Sequence, residues 1–174
     1  MSANVSSTDI APTSASDTEL VMTRIFDAPR SLVFKAWTEN EHLEQWQGAP
    51  MGMTVTVQES NIRPGGAFRV CMHAPDGVDH WLQGVYTDVT PPERLAFTHT
   101  WLGADGQPGK ETLVTITFAE HGKKTELTLR QTGLPSAASR DGHSHGWNST
   151  FDRLTGYLAE LDQTAASTDS VESP

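Results

Sequence analysis

Apolar and polar residues alternate through the middle of this chain and switch to a helical spacing near its end. Met53, Val55 and Val57 alternate with Thr54, Thr56 and Gln58, and Phe68, Val70 and Met72 alternate with Arg69, Cys71 and His73. Leu95, Phe97, His99 and Trp101 share one parity, as do Val114, Ile116 and Phe118, and then Leu127 and Leu129. Successive side chains of a strand point to opposite faces, so each run predicts a strand with one buried face. A further strand is predicted over 79–89. Between the runs lie Arg63-Pro64-Gly65-Gly66, Pro75-Asp76-Gly77, Pro91-Pro92, a loop over 103–109 and His121-Gly122-Lys123, all turn chemistry. Six strands joined this closely predict an antiparallel meander whose outer face is wet.

The flanks complete the fold. Residues 19–27 predict a first strand, stopped by Ala28-Pro29, with Asp27 or Ser31 as candidate helix caps. Val33, Ala36 and Trp37 then share one helical face, and a second short helix follows from Asn40 with Leu43, Trp46 and Gln47 inward, ended by Gly48-Ala49-Pro50. After the strands, Trp147, Phe151, Leu154, Leu158 and Leu161 recur at spacings of four, three, four and three, one stripe of a helix. The predicted class is α+β: strand, two short helices, six strands, long helix. The stripe and the sheet's apolar face must bury each other, and the space between them is where a ligand would sit.

Composition narrows the function classes. The 174 residues are 36% hydrophobic with a formal net charge of −10, which fits one domain with a substantial core. Segments 1–17 and 163–174, Ser, Thr, Ala and Asp with few large apolar residues, are expected as disordered tails around a single domain over 18–162. Four of the negatives, Asp9, Asp17, Asp169 and Glu172, lie in those tails, which leaves −6 for the body. No cluster of Lys and Arg appears, so neither nucleic acid nor an anionic membrane is an expected partner. The N-terminus lacks a basic segment followed by an apolar run, and no stretch approaches the ~20 apolar residues of a membrane span. The expected location is cytoplasmic. Cys71 is the single cysteine, excluding an intrachain disulfide; its setting in the strand reads as structural.

A family resemblance is carried by these same residues. Arg24, Asp27-Ala28-Pro29, Val33-Phe34-Lys35-Ala36-Trp37-Thr38 and Trp46 resemble the opening of the activator-of-Hsp90-ATPase-like (AHSA1-type) family, part of the START/Bet v 1-like (SRPBCC) superfamily. Arg63-Pro64-Gly65-Gly66, Gly84-Val85-Tyr86, Pro91-Pro92-Glu93-Arg94-Leu95-Ala96-Phe97-Thr98, Thr125-Glu126-Leu127-Thr128-Leu129 and His145-Gly146-Trp147 continue the likeness over about 19–161. Trp46-Gln47-Gly48-Ala49-Pro50 departs from it, since relatives commonly carry an aromatic or apolar residue after the Trp. The resemblance implies a helix-grip fold, a seven-stranded antiparallel sheet wrapped around the C-terminal helix. It implies a hydrophobic-ligand cavity, or a role as activator of an Hsp90-type chaperone in the stress response, and some superfamily members act as cyclases or dehydratases.

Candidate chemistry is sparse. His99 sits between Phe97 and Trp101 on the predicted inward face, where an imidazole needs a partner or a ligand. Tyr86 and Gln83 fall on opposite parities, and the resemblance favours Tyr86 inward. Met51, Met53 and Met72 read as flexible cavity lining or core filler. His143-Ser144-His145 has no metal-ligand spacing and reads as the approach to the last helix, with His145 near its N-terminus; Asn148-Ser149-Thr150 falls inside that helix. No catalytic constellation, metal site or cofactor motif is expected. The candidate ligand-binding set is Trp46, Met72, Tyr86, Phe97, His99, Trp101, Trp147, Phe151 and Leu154. The expected function is non-catalytic binding of a small hydrophobic or amphipathic molecule by a monomer or homodimer, against an Hsp90-type co-chaperone or a cavity enzyme with His99 as acid or base.

Overall fold

The structure is a computed structural model that describes residues 18–47 and 52–172, the last ten of these as helix backbone only. The expected tail over 1–17, the Gly48-Ala49-Pro50 loop and Met51 lie outside the described residues. Strand β1 (Glu19–Phe26) leads into helices α1 (Arg30–Thr38) and α2 (Asn40–Trp46). Strands β2 (Thr54–Ser60), β3 (Ala67–His73), β4 (Asp79–Thr90), β5 (Arg94–Trp101), β6 (Thr112–His121) and β7 (Lys124–Thr132) follow, and helix α3 (Ala137–Glu172) ends the chain. The sheet order is β1-β7-β6-β5-β4-β3-β2 with every pairing antiparallel. This is the helix-grip α+β fold: a meander of six strands, closed at one edge by the first strand, against one long helix.

Two glycines fix the sheet's shape. Gly77 takes a φ of 89° in the β3–β4 turn, a conformation that L side chains rarely adopt. Gly84, inside β4, pairs with Phe68, and a Cβ there would fall 1.9 Å from the Thr98 carbonyl oxygen and 2.6 Å from the Phe68 ring. The missing side chain leaves that space to Phe68, which packs on Tyr86 and Phe97 at ring separations of 5.3 and 5.5 Å.

The same core continues through a second group of aromatic rings. Trp37 and Trp46 meet at 4.7 Å, Phe34 and Phe118 at 5.3 Å, and Phe26 and Phe151 at 5.7 Å, all edge to face. Such aromatic pairs add ~0.5–1.5 kcal/mol beyond the area they bury. Phe151, Leu154 and Leu158 bring the apolar stripe of α3 onto this cluster. Arg24 of β1 fastens the same helix from outside, donating to Asp152 at 2.7 Å and Asn148 at 3.2 Å.

Three local expectations are corrected. Neither Asp27 nor Ser31 caps α1; Pro29 holds the cap position and no side chain bonds there. Helix α3 begins at Ala137, about ten residues before Trp147, so His143 and His145 lie within it rather than on its approach. Ser136 is its cap, with Oγ accepting from the Ser139 backbone N–H at 3.1 Å. The helix also continues past 162 to Glu172, through a segment with no Gly or Pro to stop it.

Candidate ligand-binding cavity

The first three turns of α3 reach the sheet only through side chains such as His143 and Trp147. Ser139, Gly142, Gly146 and Thr150 face it from the helix, recurring at three and four residues, with His143 and Trp147 beside them. A Cβ added to Gly142 or Gly146 would meet nothing within 4 Å. Opposite stand Met72, Leu82, His99 and Trp101 from β3, β4 and β5, with Gln47, Met53 and His80 at the sides. Together they enclose a cavity of about 460 Å³, within the ~300–1,000 Å³ of small-molecule sites. Sealed and empty, such a hollow would cost on the order of 11 kcal/mol at ~24 cal/mol per Å³. That rivals a domain's whole net stability of ~5–15 kcal/mol, so the space holds water or a ligand.

His99 is the polar centre of the floor. It is 4% exposed, and its ring lies 5.7 Å from Trp101, 5.9 Å from His143 and 6.0 Å from Trp147. Burial, and then the adjacent His143, lower its pKa to about 3, against a smaller pull from a hydrogen bond with its own backbone. His99 is therefore neutral at physiological pH. His143 Nδ1 lies 2.8 Å from the Ser139 carbonyl oxygen one turn back, so Nδ1 carries a proton and donates it there.

A buried relay holds the walls in place. The Trp147 indole N–H donates to Gln131 Oε1 at 2.9 Å, and Gln131 Nε2–H donates to Thr112 Oγ1 at 2.9 Å. The Thr112 hydroxyl then donates to the His99 carbonyl at 3.1 Å. These bonds run from α3 across β7 and β6 to β5, and Gln131 is 0% exposed. Every polar group of Gln131 is thereby spent on orienting Trp147 and the strand that carries His99.

Of the nine candidate residues, Met72, His99, Trp101 and Trp147 line the cavity. Tyr86 and Phe97, with His99 and Trp147 again, line an adjoining void of about 30 Å³, room for about one water. Tyr86 does point inward, and burial pushes its phenol up to about 12. Trp46, Phe151 and Leu154 line neither space: all three are fully buried in the core, and the Trp46 indole N–H donates to the Ala36 carbonyl. Sequence reasoning missed His80, Leu82, Gln131 and, apart from Trp147, the helical roof. Gln131 had a legible signal, since it continues the inward parity of Leu127 and Leu129.

Residues 27–159 match the family described as activator of Hsp90 ATPase homolog 1-like protein. The chain belongs to this family. Solved relatives share the fold across bacteria. A Chromobacterium violaceum protein is 26% identical with a TM-score of 0.75, covering 82% of this chain and 97% of its own. A Silicibacter pomeroyi protein titled AHSA1 is 25% identical with a TM-score of 0.75, covering 82% and 99%. A Rhodobacter sphaeroides protein is 26% identical with a TM-score of 0.72, covering 85% and 97%. Among curated proteins, none matches the chain. Among the described residues no helix is long and apolar enough to cross a membrane.

Proposed function

We propose that this family member binds a small, largely apolar molecule between the sheet and the glycine face of α3, without carrying out chemistry on it. The single observation behind this is the roof. Ser139, Gly142, Gly146 and Thr150 present so little volume that a hollow of about 460 Å³ persists beside a fully packed core. The Met72, Leu82, Trp101 and Trp147 side chains supply apolar contact. The imidazole of neutral His99, with that of His143 beside it, suits a ligand with one polar group, hence an amphipathic rather than a purely hydrocarbon guest. The described lining includes three imidazoles, His80, His99 and His143, but no Asp, Glu, Lys or Cys, which favours binding over an acid–base reaction. Activation of an Hsp90-type ATPase, the property in the family's description, is the competing reading.

Native mass spectrometry of the protein as purified from cells tests the proposal. The expected result is a mass excess of one small organic molecule, lost on mild activation and absent from a Gly146→Leu variant. An unliganded protein that also takes up no amphipathic probe, yet accelerates ATP turnover by an Hsp90-type chaperone, would replace this function with the co-chaperone one.

A further inference from the structure

The outer face of the sheet carries a second constellation, away from the cavity and independent of it. Cys71 and His73 are two residues apart on β3, so the pleat puts both side chains on the same face. The β3–β4 register places Asp79 directly opposite His73. Each residue offers a ligand atom, and the three atoms all lie within 4.8 Å of one another. Cys71 Sγ is 3.7 Å and Asp79 Oδ1 2.8 Å from the same ring nitrogen, His73 Nδ1.

That convergence separates a metal site from a nucleophile. A Cys-His-Asp relay is linear, with thiol and carboxylate on opposite nitrogens of the imidazole. Here both approach Nδ1, while Nε2 is engaged by Thr56 Oγ1 at 3.0 Å from the neighbouring strand.

We infer that Cys71, His73 and Asp79 form a site for a thiophilic divalent cation, Zn²⁺ above all, on the outer face of the β3–β4 hairpin. Tetrahedral zinc with bonds of ~2.0–2.3 Å sets its donor atoms roughly 3.3–3.6 Å apart, and the observed 3.7 and 2.8 Å bracket that spacing. On binding, the Cys71 thiol gives its proton to solvent, and thiolate plus the Asp79 carboxylate neutralise the dication. His73 ligates through Nδ1 as the neutral ring, with Nε2–H donating to Thr56, the outer contact that fixes a ligating histidine. Cys71 is 1% exposed, while the His73 and Asp79 side chains are 38% and 50% exposed. Protein closes one side of the ion and a water completes the fourth position on the other. A sulfur, nitrogen and oxygen donor set excludes Mg²⁺ and Ca²⁺, which take oxygen. Arg69, the cation two residues along the same strand, is drawn over the Trp81 ring, 4.8 Å from its centroid.

The test is a Co²⁺ titration of the full chain under reducing conditions. A thiolate-to-cobalt charge-transfer band should appear in the near ultraviolet, saturate at one ion per chain and vanish on adding Zn²⁺. Cys71→Ser should abolish the band. His73→Gln and Asp79→Asn, at half-buried and exposed positions whose folding circular dichroism can verify, should each weaken binding by more than about tenfold, as should Thr56→Val by removing the outer contact. His121→Gln, an exposed histidine in the β6–β7 turn, should leave the band unchanged. Absence of the band in the wild-type protein, or a band unaltered in both His73→Gln and Asp79→Asn, overturns the site.

Discussion

Filling the roof of the cavity should stabilise this protein, and the sign of the effect decides whether the cavity exists. Gly142 and Gly146 lie inside α3 and neither has a positive φ. An alanine Cβ at either position meets no atom within 4 Å outside its own helix. Gly in a helix interior is ~0.5–1 kcal/mol less favourable than Ala, so each Gly→Ala change should return that amount. The two sites do not compete for space, so the double variant should gain about 1–2 kcal/mol. In a domain of this size ~1 kcal/mol moves Tm by about 2–4 °C, and the expected rise is therefore roughly 2–8 °C. Thermal unfolding by circular dichroism at fixed protein concentration reads it directly. Were α3 packed into the core here as it is at Leu154, an extra methyl would overpack the contact and cost ~1–3 kcal/mol. A fall in Tm for both single variants would refute the hollow.

Two further outcomes follow from the walls. The His99 pKa of about 3 lies below the ~6.5 of an unfolded histidine, so the unfolded chain takes up a proton that the folded one refuses. His99's contribution is complete above pH 6.5 and is lost as pH falls toward 3, on the order of 5 kcal/mol in all. His99→Leu should flatten that acid limb in urea titrations across the window, and an unchanged profile would place the imidazole in water. Gln131→Leu strips the Trp147 indole N–H of its acceptor and Thr112 of a donor, which should cost ~1–3 kcal/mol. The urea midpoint should drop with no change in slope.

The strands were legible because period two survives wherever one face is buried; β2, β3, β5, β6 and β7 show it, while a register shift between Tyr86 and Asp88 breaks it in β4. The second half of α3 was legible for the matching reason: Phe151, Leu154 and Leu158 meet the core and must be large and apolar. Its first half, Ala-Ala-Ser-Arg-Asp-Gly-His-Ser-His-Gly, contains no large apolar residue. A helix that roofs a cavity has nothing to bury, so it loses the stripe by which helices are found. The same physics hid the roof residues and misplaced Trp46, Phe151 and Leu154, whose size marks them equally for a core or a cavity wall. Only the packing of Trp46 on Trp37 and of Phe151 on Phe26 assigns them to the core. The Leu134-Pro135-Ser136 cap was the readable sign of the true start.

The most direct measurement is a fluorescence titration with an apolar dye of the anilinonaphthalene type, comparing the wild-type protein with Gly146→Leu. The leucine side chain extends from the roof toward His99 and Trp101 and occupies the space that the dye needs. One saturable site is predicted in the wild-type protein, weakened in the variant by about tenfold or more, at least ~1.4 kcal/mol, while both proteins melt cooperatively. Equal dye affinity in the two proteins would contradict a binding cavity beneath the glycine face of α3.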